Sequence, residues 1–338
     1  MGTQIGRKQQ SSRLWLASVL LAALSAFVAT AAIAADDWPS RPITMIVPFG
    51  AGGPLDSISR VMAPPIGEIL GKPIVIENVP GGGGMTGSNR VAKAPPDGYT
   101  FGMGTSGTHA YSQTLHRKPL YDVTTDFAPI GLVGESFFAL VVRNDFPANT
   151  LAEFAAYAKA NQARMHFGSA GAGSATHITC VLLNSVVGTT IAHVPYRSTV
   201  QALQDLIAGR IDFVCDAGSA VMPMIKGGTV KALANLGPHR APMLPELATA
   251  KEQGVAGVTV YGWNALFYPK GTPDPIVRAL NAAAGKMLER PQVRERLHQI
   301  GIAVPPPEHR SPEYLATFVR SEIETWAVPI RASGVKIE

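Results

Sequence analysis

Short apolar runs alternate with stretches of helical period along most of the chain. Ile43 to Val47 is rich in β-branched residues and ends at Pro48; small residues follow as far as Gly53. Beyond Pro54 the apolar positions Ile58, Val61, Met62 and Ile66 recur at helical spacing, so a strand, a tight turn and a helix over 54–70 are expected in succession. Similar reasoning places strands at 73–78, 99–103, 127–133 and 138–143, and a helix near 84–93. A second series begins after Asn149. Thr150 as N-cap with Glu153 three residues on makes a capping box for a helix over 150–160. Strands at 165–168, 191–194, 211–215 and 230–234 then alternate with helices at 174–187, 198–208 and 219–226. A strand from Val260 to Tyr268 precedes three helices, 273–289, 291–299 and 311–332, with Pro273 and Pro291 at first-turn positions. Alternation of this kind predicts an α/β protein whose sheets are rich in parallel pairs and flanked by helices.

The two series share one unit, a strand, a Gly-rich loop and a helix: Val47 to Ile58 in the first, Phe167 to Ile178 in the second. Such a turn leaves bare backbone N–H groups at a helix start, where the helix dipole favours an anion. A carboxylate can be held there without lysine or metal. Two such units imply two facing lobes with a site between their strand ends. The expected division is residues 36–143 plus 260–338 for the first lobe and 144–259 for the second, with crossings near Leu140–Asn144 and Val260–Phe267.

The N-terminus changes the compartment. Arg7, Lys8 and Arg13 precede an apolar stretch from Leu14 to Val28, and Ala32-Ile33-Ala34 fits the small-x-small cleavage rule. Residues 1–35 therefore read as a signal peptide cleaved near Ala34 or Ala35, with an uncleaved membrane anchor as the alternative. The leader carries three of the 29 basic residues and none of the 24 acidic ones, so the mature chain is nearly balanced. That balance, with no basic run, excludes a nucleic-acid partner. About 300 mature residues with 46% hydrophobic content are ample for a buried core. Two cysteines, Cys180 and Cys215, fall in the second lobe; in an oxidising compartment they are disulfide candidates, the alternative being two buried apolar fillers.

Enzyme signals are weak. G-x-G-x-x-G occurs at Gly102–Gly107 and again at Gly82–Gly87, which shows how cheap that pattern is in Gly-rich loops. There is no Walker sequence, no nucleophile elbow and no zinc spacing among eight scattered histidines. No cofactor and no metal are expected.

At this point the residues resemble a family. Pro48-Phe49-x-x-Gly52-Gly53-x-x-Asp56, Glu77-Asn78-x-x-Gly81-Gly82-Gly83-Gly84-x-x-Gly87 and Pro96-Asp97-Gly98-Tyr99-Thr100 are similar to segments of the tripartite tricarboxylate transporter receptors, the Bug family. So are Gly104 to Ala110, Gly171-x-Gly173-Ser174-x-x-His177, Val194-Pro195-Tyr196-Arg197, Leu244-Pro245-Glu246 and Phe267 to Pro273. The resemblance covers nearly all of the chain from Trp38. It implies a two-lobed type II periplasmic binding fold, a small carboxylate in the cleft, and delivery to a membrane permease of two further subunits. A monomer is expected. One departure stands out: Val181 occupies a position where many members carry glutamate, which leaves the ligand class more open.

Carried over, the resemblance implies four ligand-facing loops. Phe49, Gly50, Ala51, Gly52 and Gly53 would offer backbone N–H groups, with Phe49 packing on the ligand and Asp56 at the following helix start. Ser106, Thr108 and His109 would add donors from a third loop; Gly171, Ser174 and His177 would form the facing anion site. Tyr196 and Asp216 close the second lobe, Asp216 accepting from an amino or hydroxyl group or holding a water. Each has a structural alternative: Asp56 as a first-turn acid, the two histidines and Asp216 as loop caps, Trp263 as core, Gly81–Gly84 as a bare turn, Arg197 as a solvated cation. The competing function is an exported hydrolase using Ser106 or Ser174 with His109 or His177.

Overall fold

The computed structural model describes residues 38–337; the expected leader lies outside them. The chain from Arg41 forms one compact unit. It opens with β1 (Ile43–Val47), buried at four of five positions, which is why its sequence is a run and not an alternation. Helix α1 (Pro54–Leu70) starts with proline at N1 and stops at Gly71 in the left-handed conformation. Then come β2 (Ile74–Asn78), α2 (Met85–Ala92) and β3 (Thr100–Thr105). A π-helical turn, Gly107–Tyr111, runs into the short α3 (Ser112–Leu115), where a loop was expected.

The long β4 (Phe127–Val142) corrects another expectation, that of two strands separated at 134–137. Irregular register at Gly131 and Gly134 absorbs the break, so pairing with β9 (Tyr261–Pro269) continues through Glu135, Ser136 and Phe137. From Phe138 to Val142 the strand changes partners, to β7 (Phe213–Ala217) and β8 (Lys231–Asn235). Between them run α4 (Leu151–Asn161), β5 (His166–Ser169), α5 (Ala175–Val187), β6 (Ala192–Pro195), α6 (Thr199–Ile207) and α7 (Gly218–Lys226). The chain ends in α8 (Asp274–Leu288), α9 (Pro291–Gln299) and α10 (Pro312–Ala332). The capping box forms as expected on α4: Thr150 accepts from the Glu153 N–H at 3.2 Å, and the Glu153 carboxylate accepts from the Asn149 N–H at 2.6 Å.

The strand order is β2-β1-β3-β9-β4-β7-β5-β6, with β8 also on β4. Crossover helices make β1, β2 and β3 parallel, and β5 parallel to β6 and β7. Everything touching β4 or β9 is antiparallel, so each half of the sheet is mixed. The β1 side and the β7 side are joined through β4, and the ends of β1, β3, β5 and β7 lead into turns that meet across that junction.

Candidate functional site

Four helices begin at one partly open cavity. Pro54 and Leu55 open α1, Ser174 to Thr176 open α5, Ser198 and Thr199 open α6, and Ala217 and Ser219 open α7. The first-turn N–H groups of a helix have no intrahelical partner. Ser174 caps one of them, the His177 N–H, at 3.3 Å, and Ser198 another, the Val200 N–H, also at 3.3 Å. Four positive helix ends thus converge where, among the described residues, no lysine, arginine or histidine lines the wall. Among the described residues the only acid there is Asp216. Phe49, Leu55, Ile58, Phe138 and Trp263 supply the apolar remainder. Anion binding by dipoles inside a partly apolar pocket is what this arrangement can do chemically.

Trp263 belongs to both cavity and core. It is 1% exposed, and its indole N–H donates to the Glu322 carboxylate at 2.8 Å. Trp326 donates to the same oxygen at 3.2 Å. Burial raises the Glu322 pKa, and the two indole donors and Tyr261 oppose that only in part.

Residues 58–335 match the family described as tripartite tricarboxylate transporter family receptor. The chain belongs to this receptor family. Among solved structures, the periplasmic binding protein BugD aligns with a TM-score of 0.86 at 36% identity, over 89% of this chain and 100% of that one. MatC of Rhodopseudomonas palustris, solved with malate, gives 0.85 at 39% identity over 87% and 100%. The R. palustris protein Rpa4515, solved with adipate, gives 0.84 at 32% identity over 89% and 99%. The fold is therefore the α/β periplasmic binding fold of the Bug receptors.

Of the residues that the receptor family resemblance singles out, four line the cavity: Phe49, Ser106, Ser174 and Asp216. The others do not line it. Asp56 is buried, and its Oδ2 accepts from the Gly52 N–H at 2.9 Å and from Arg60 at 2.8 Å. Burial opposes its ionisation, but Arg60 and the Gly52 N–H outweigh that and hold its pKa below the usual carboxyl range. Its contacts fold the turn 49–53, whose end Asn78 also fixes by donating to the Phe49 carbonyl at 3.0 Å. Gly50, Gly52, Gly53 and Ala51 form that turn without lining the cavity.

Thr108 and His109 turn inward. The Thr108 hydroxyl meets the His109 ring at 2.8 Å, and that ring stacks on Phe267 at 4.0 Å. Full burial pushes the His109 pKa down to about 3. His177 takes the Gly173 N–H at 3.2 Å and packs on His193 at 4.1 Å; burial first, then His193, lowers its pKa to about 3. Gly171 accepts from the Ser174 hydroxyl at 2.7 Å. Tyr196 points to Asp205 at 2.8 Å, and Arg197 is exposed. Neither Ser106 nor Ser174 is recorded in a hydrogen bond with a histidine ring, so no serine–histidine pair for the hydrolase reading is assembled.

Cys180 on α5 and Cys215 on β7 face one another as free, fully buried thiols. Burial, then the neighbouring Cys215, raises the Cys180 pKa, which suppresses the thiolate that exchange requires.

Sequence reasoning missed Ser198, Thr199, Ser219 and Asn264 at the cavity. Ser198 and Thr199 had a signal: a serine N-cap directly after β6 repeats the strand–turn–helix logic already used for Ser174. Asn264 had none, because β9 is apolar on both faces and its one amide carries no positional pattern.

Proposed function

We propose that this chain is an exported solute receptor that binds a small carboxylate in the cavity and presents it to a two-subunit membrane permease. One observation carries the reading: four helix N-termini converge on a cavity that, among the described residues, no cationic side chain lines. The carboxylates held by MatC and Rpa4515 support it. Phe49, Ser106, Ser174 and Asp216 are the direct contacts in this reading, with backbone N–H groups of the α1 and α5 first turns on one ligand carboxylate. Residues 36–143 plus 260–338 and residues 144–259 act as two lobes that close on the ligand, and the ligand's contacts to both favour the closed state. Release needs no bond to be broken, so the protein turns nothing over. The mature chain acts as a monomer in the periplasm after loss of residues 1–35.

The test is a thermal-shift screen of the chain from Asp36 against aliphatic diacids, hydroxy acids, amino acids and aromatic acids. A ligand at about 100 times its Kd stabilises by about 2.7 kcal/mol, a shift of several degrees. Selective stabilisation by one acid class, with the acid recovered unchanged, is the expected result. Silence with every acid, repeated after unfolding and refolding to strip a carried ligand, would overturn the receptor reading.

A further inference from the structure

Asp216 is the group in the cavity that the binding of one carboxylate leaves unexplained. It is the penultimate residue of β7, with 1% exposure. Its Oδ1 accepts from the Ala217 N–H at 2.8 Å, while Oδ2 is buried with no partner. Beside it lies the Thr199 hydroxyl, near enough to draw the Asp216 pKa down. A buried carboxylate oxygen without a well-formed hydrogen bond is costly, so Asp216 is shaped for a ligand group.

Three partners would satisfy Asp216: a cation or a neutral O–H donor beside its ionised form, or an acceptor facing its protonated form. The surroundings disfavour the first. Helices α6 and α7 both start here, at Thr199 and at Gly218, and their positive ends repel an ammonium and favour a carboxylate. We propose, resting on the receptor reading above, that the site takes a dicarboxylate together with one proton. Asp216 carries that proton on Oδ2 and donates it in a hydrogen bond to the ligand's second carboxylate. The proton comes from solvent as the ligand enters and returns to solvent on release; no covalent bond other than the O–H changes.

The titration has few other participants. From α5 the facing titratable group is the Cys180 thiol, which burial keeps neutral. Across the sheet β4 presents Ala139; α6 presents Thr199, and α7 Ser219, all uncharged. Burial, opposed by the Ala217 N–H and Thr199, pushes the Asp216 pKa up to about 7, so the protonated form is accessible near neutral pH.

Isothermal titration of the mature protein tests this. Diacids from malate to adipate and the ω-amino acids of matching length are the probes, each from about pH 6 to about pH 9 in buffers of different ionisation enthalpy. A diacid should lose affinity about tenfold per pH unit above about 7, with close to one proton taken up per ligand at the alkaline end. Asp216→Asn donates through its amide at every pH, so its diacid affinity should be flat and its proton uptake zero. Diacid binding to the wild type that is flat with pH, or ω-amino acids that bind more tightly than their diacids, would overturn the inference and leave the receptor reading standing. No binding of either class at any pH would remove both. If Asp216→Asn does not fold, the wild-type proton count decides alone.

Discussion

A buried histidine is a liability in acid, and this chain has three with low values. His109 and His177 sit at about 3 and His193 at about 4, in each case with burial as the main cause. Unfolded, each titrates near 6.5. Between those values the unfolded chain binds protons that the folded chain refuses, so stability is full above about 6.5 and falls as pH drops. Asp216 and Glu322 work the other way: their folded values are raised, so their contribution is full at acid pH and is lost as pH rises. His116 joins the first set and Glu135 the second, and carboxylates held low, Asp56 among them, add to the loss in acid, so the net effect is a loss on acidification. The urea midpoint should fall from about pH 7 to about pH 4.5, and His109→Gln should flatten the slope. A midpoint that rises in acid would contradict this. Ligand binding by Asp216 has the opposite pH sense, so the two effects separate in one titration series.

At the scale of elements, the turn after β1 shows what sequence could and could not say. The strand, the Gly-rich turn and α1 were legible because one is an apolar run, one lacks side chains and one has helical period. Nearly every strand and helix of eight residues or more was legible in this way. The continuity of β4 was not, because Gly131 and Gly134 read as a break while the bulges they permit keep the ladder intact. Nor was the direction of polar side chains at the strand ends. Ser174 and Asp216 reach the cavity, whereas Thr108, His109 and His177 fold back onto backbone and aromatic rings. Polarity places a residue near a turn; packing decides which way it faces. Asp56 is the instructive case. Its role is to pin Gly52 and so set the turn that Phe49 begins. Asp56→Ala should cost about 2 kcal/mol, the value of a charged hydrogen bond at a buried acid, and weaken carboxylate binding about tenfold. Arg60→Ala removes only an exposed ion-pair partner and should lower the urea midpoint less than Asp56→Ala does. Equal losses for the two variants would place the effect in the ion pair and not in the turn.

Across the whole molecule, glycines that follow β1, β2 and β3 lie against the turns that follow β5 and β6. A Cβ on Gly83 would lie 2.3 Å from the Ala172 carbonyl oxygen, one on Gly107 2.7 Å from the Ala175 nitrogen, and one on Gly50 3.2 Å from Ser198 Cβ. Residues 50, 83 and 107 follow β1, β2 and β3, and residues 172, 175 and 198 follow β5 and β6. Bare backbone thus lets the two sets of turns touch, which is the geometry a receptor needs when closed on its ligand. Gly83 cannot isolate this effect, since its φ of +63° would strain any other residue. Gly107 can: its φ is not positive, so alanine adds a methyl group and no backbone strain. If the two proposed lobes part without ligand, Gly107→Ala should leave the unliganded thermal midpoint within about 2 °C, because the methyl is then not pressed against Ala175. Carboxylate affinity should fall at least about tenfold, and small-angle scattering should show less compaction on ligand addition than in the wild type. Unchanged affinity and full compaction would mean that the contact between Gly107 and Ala175 is incidental and that closure is limited elsewhere. A fall in the unliganded midpoint as large as the loss in binding would mean that the two halves are already closed without ligand, and that the ligand enters by a local opening of the turns.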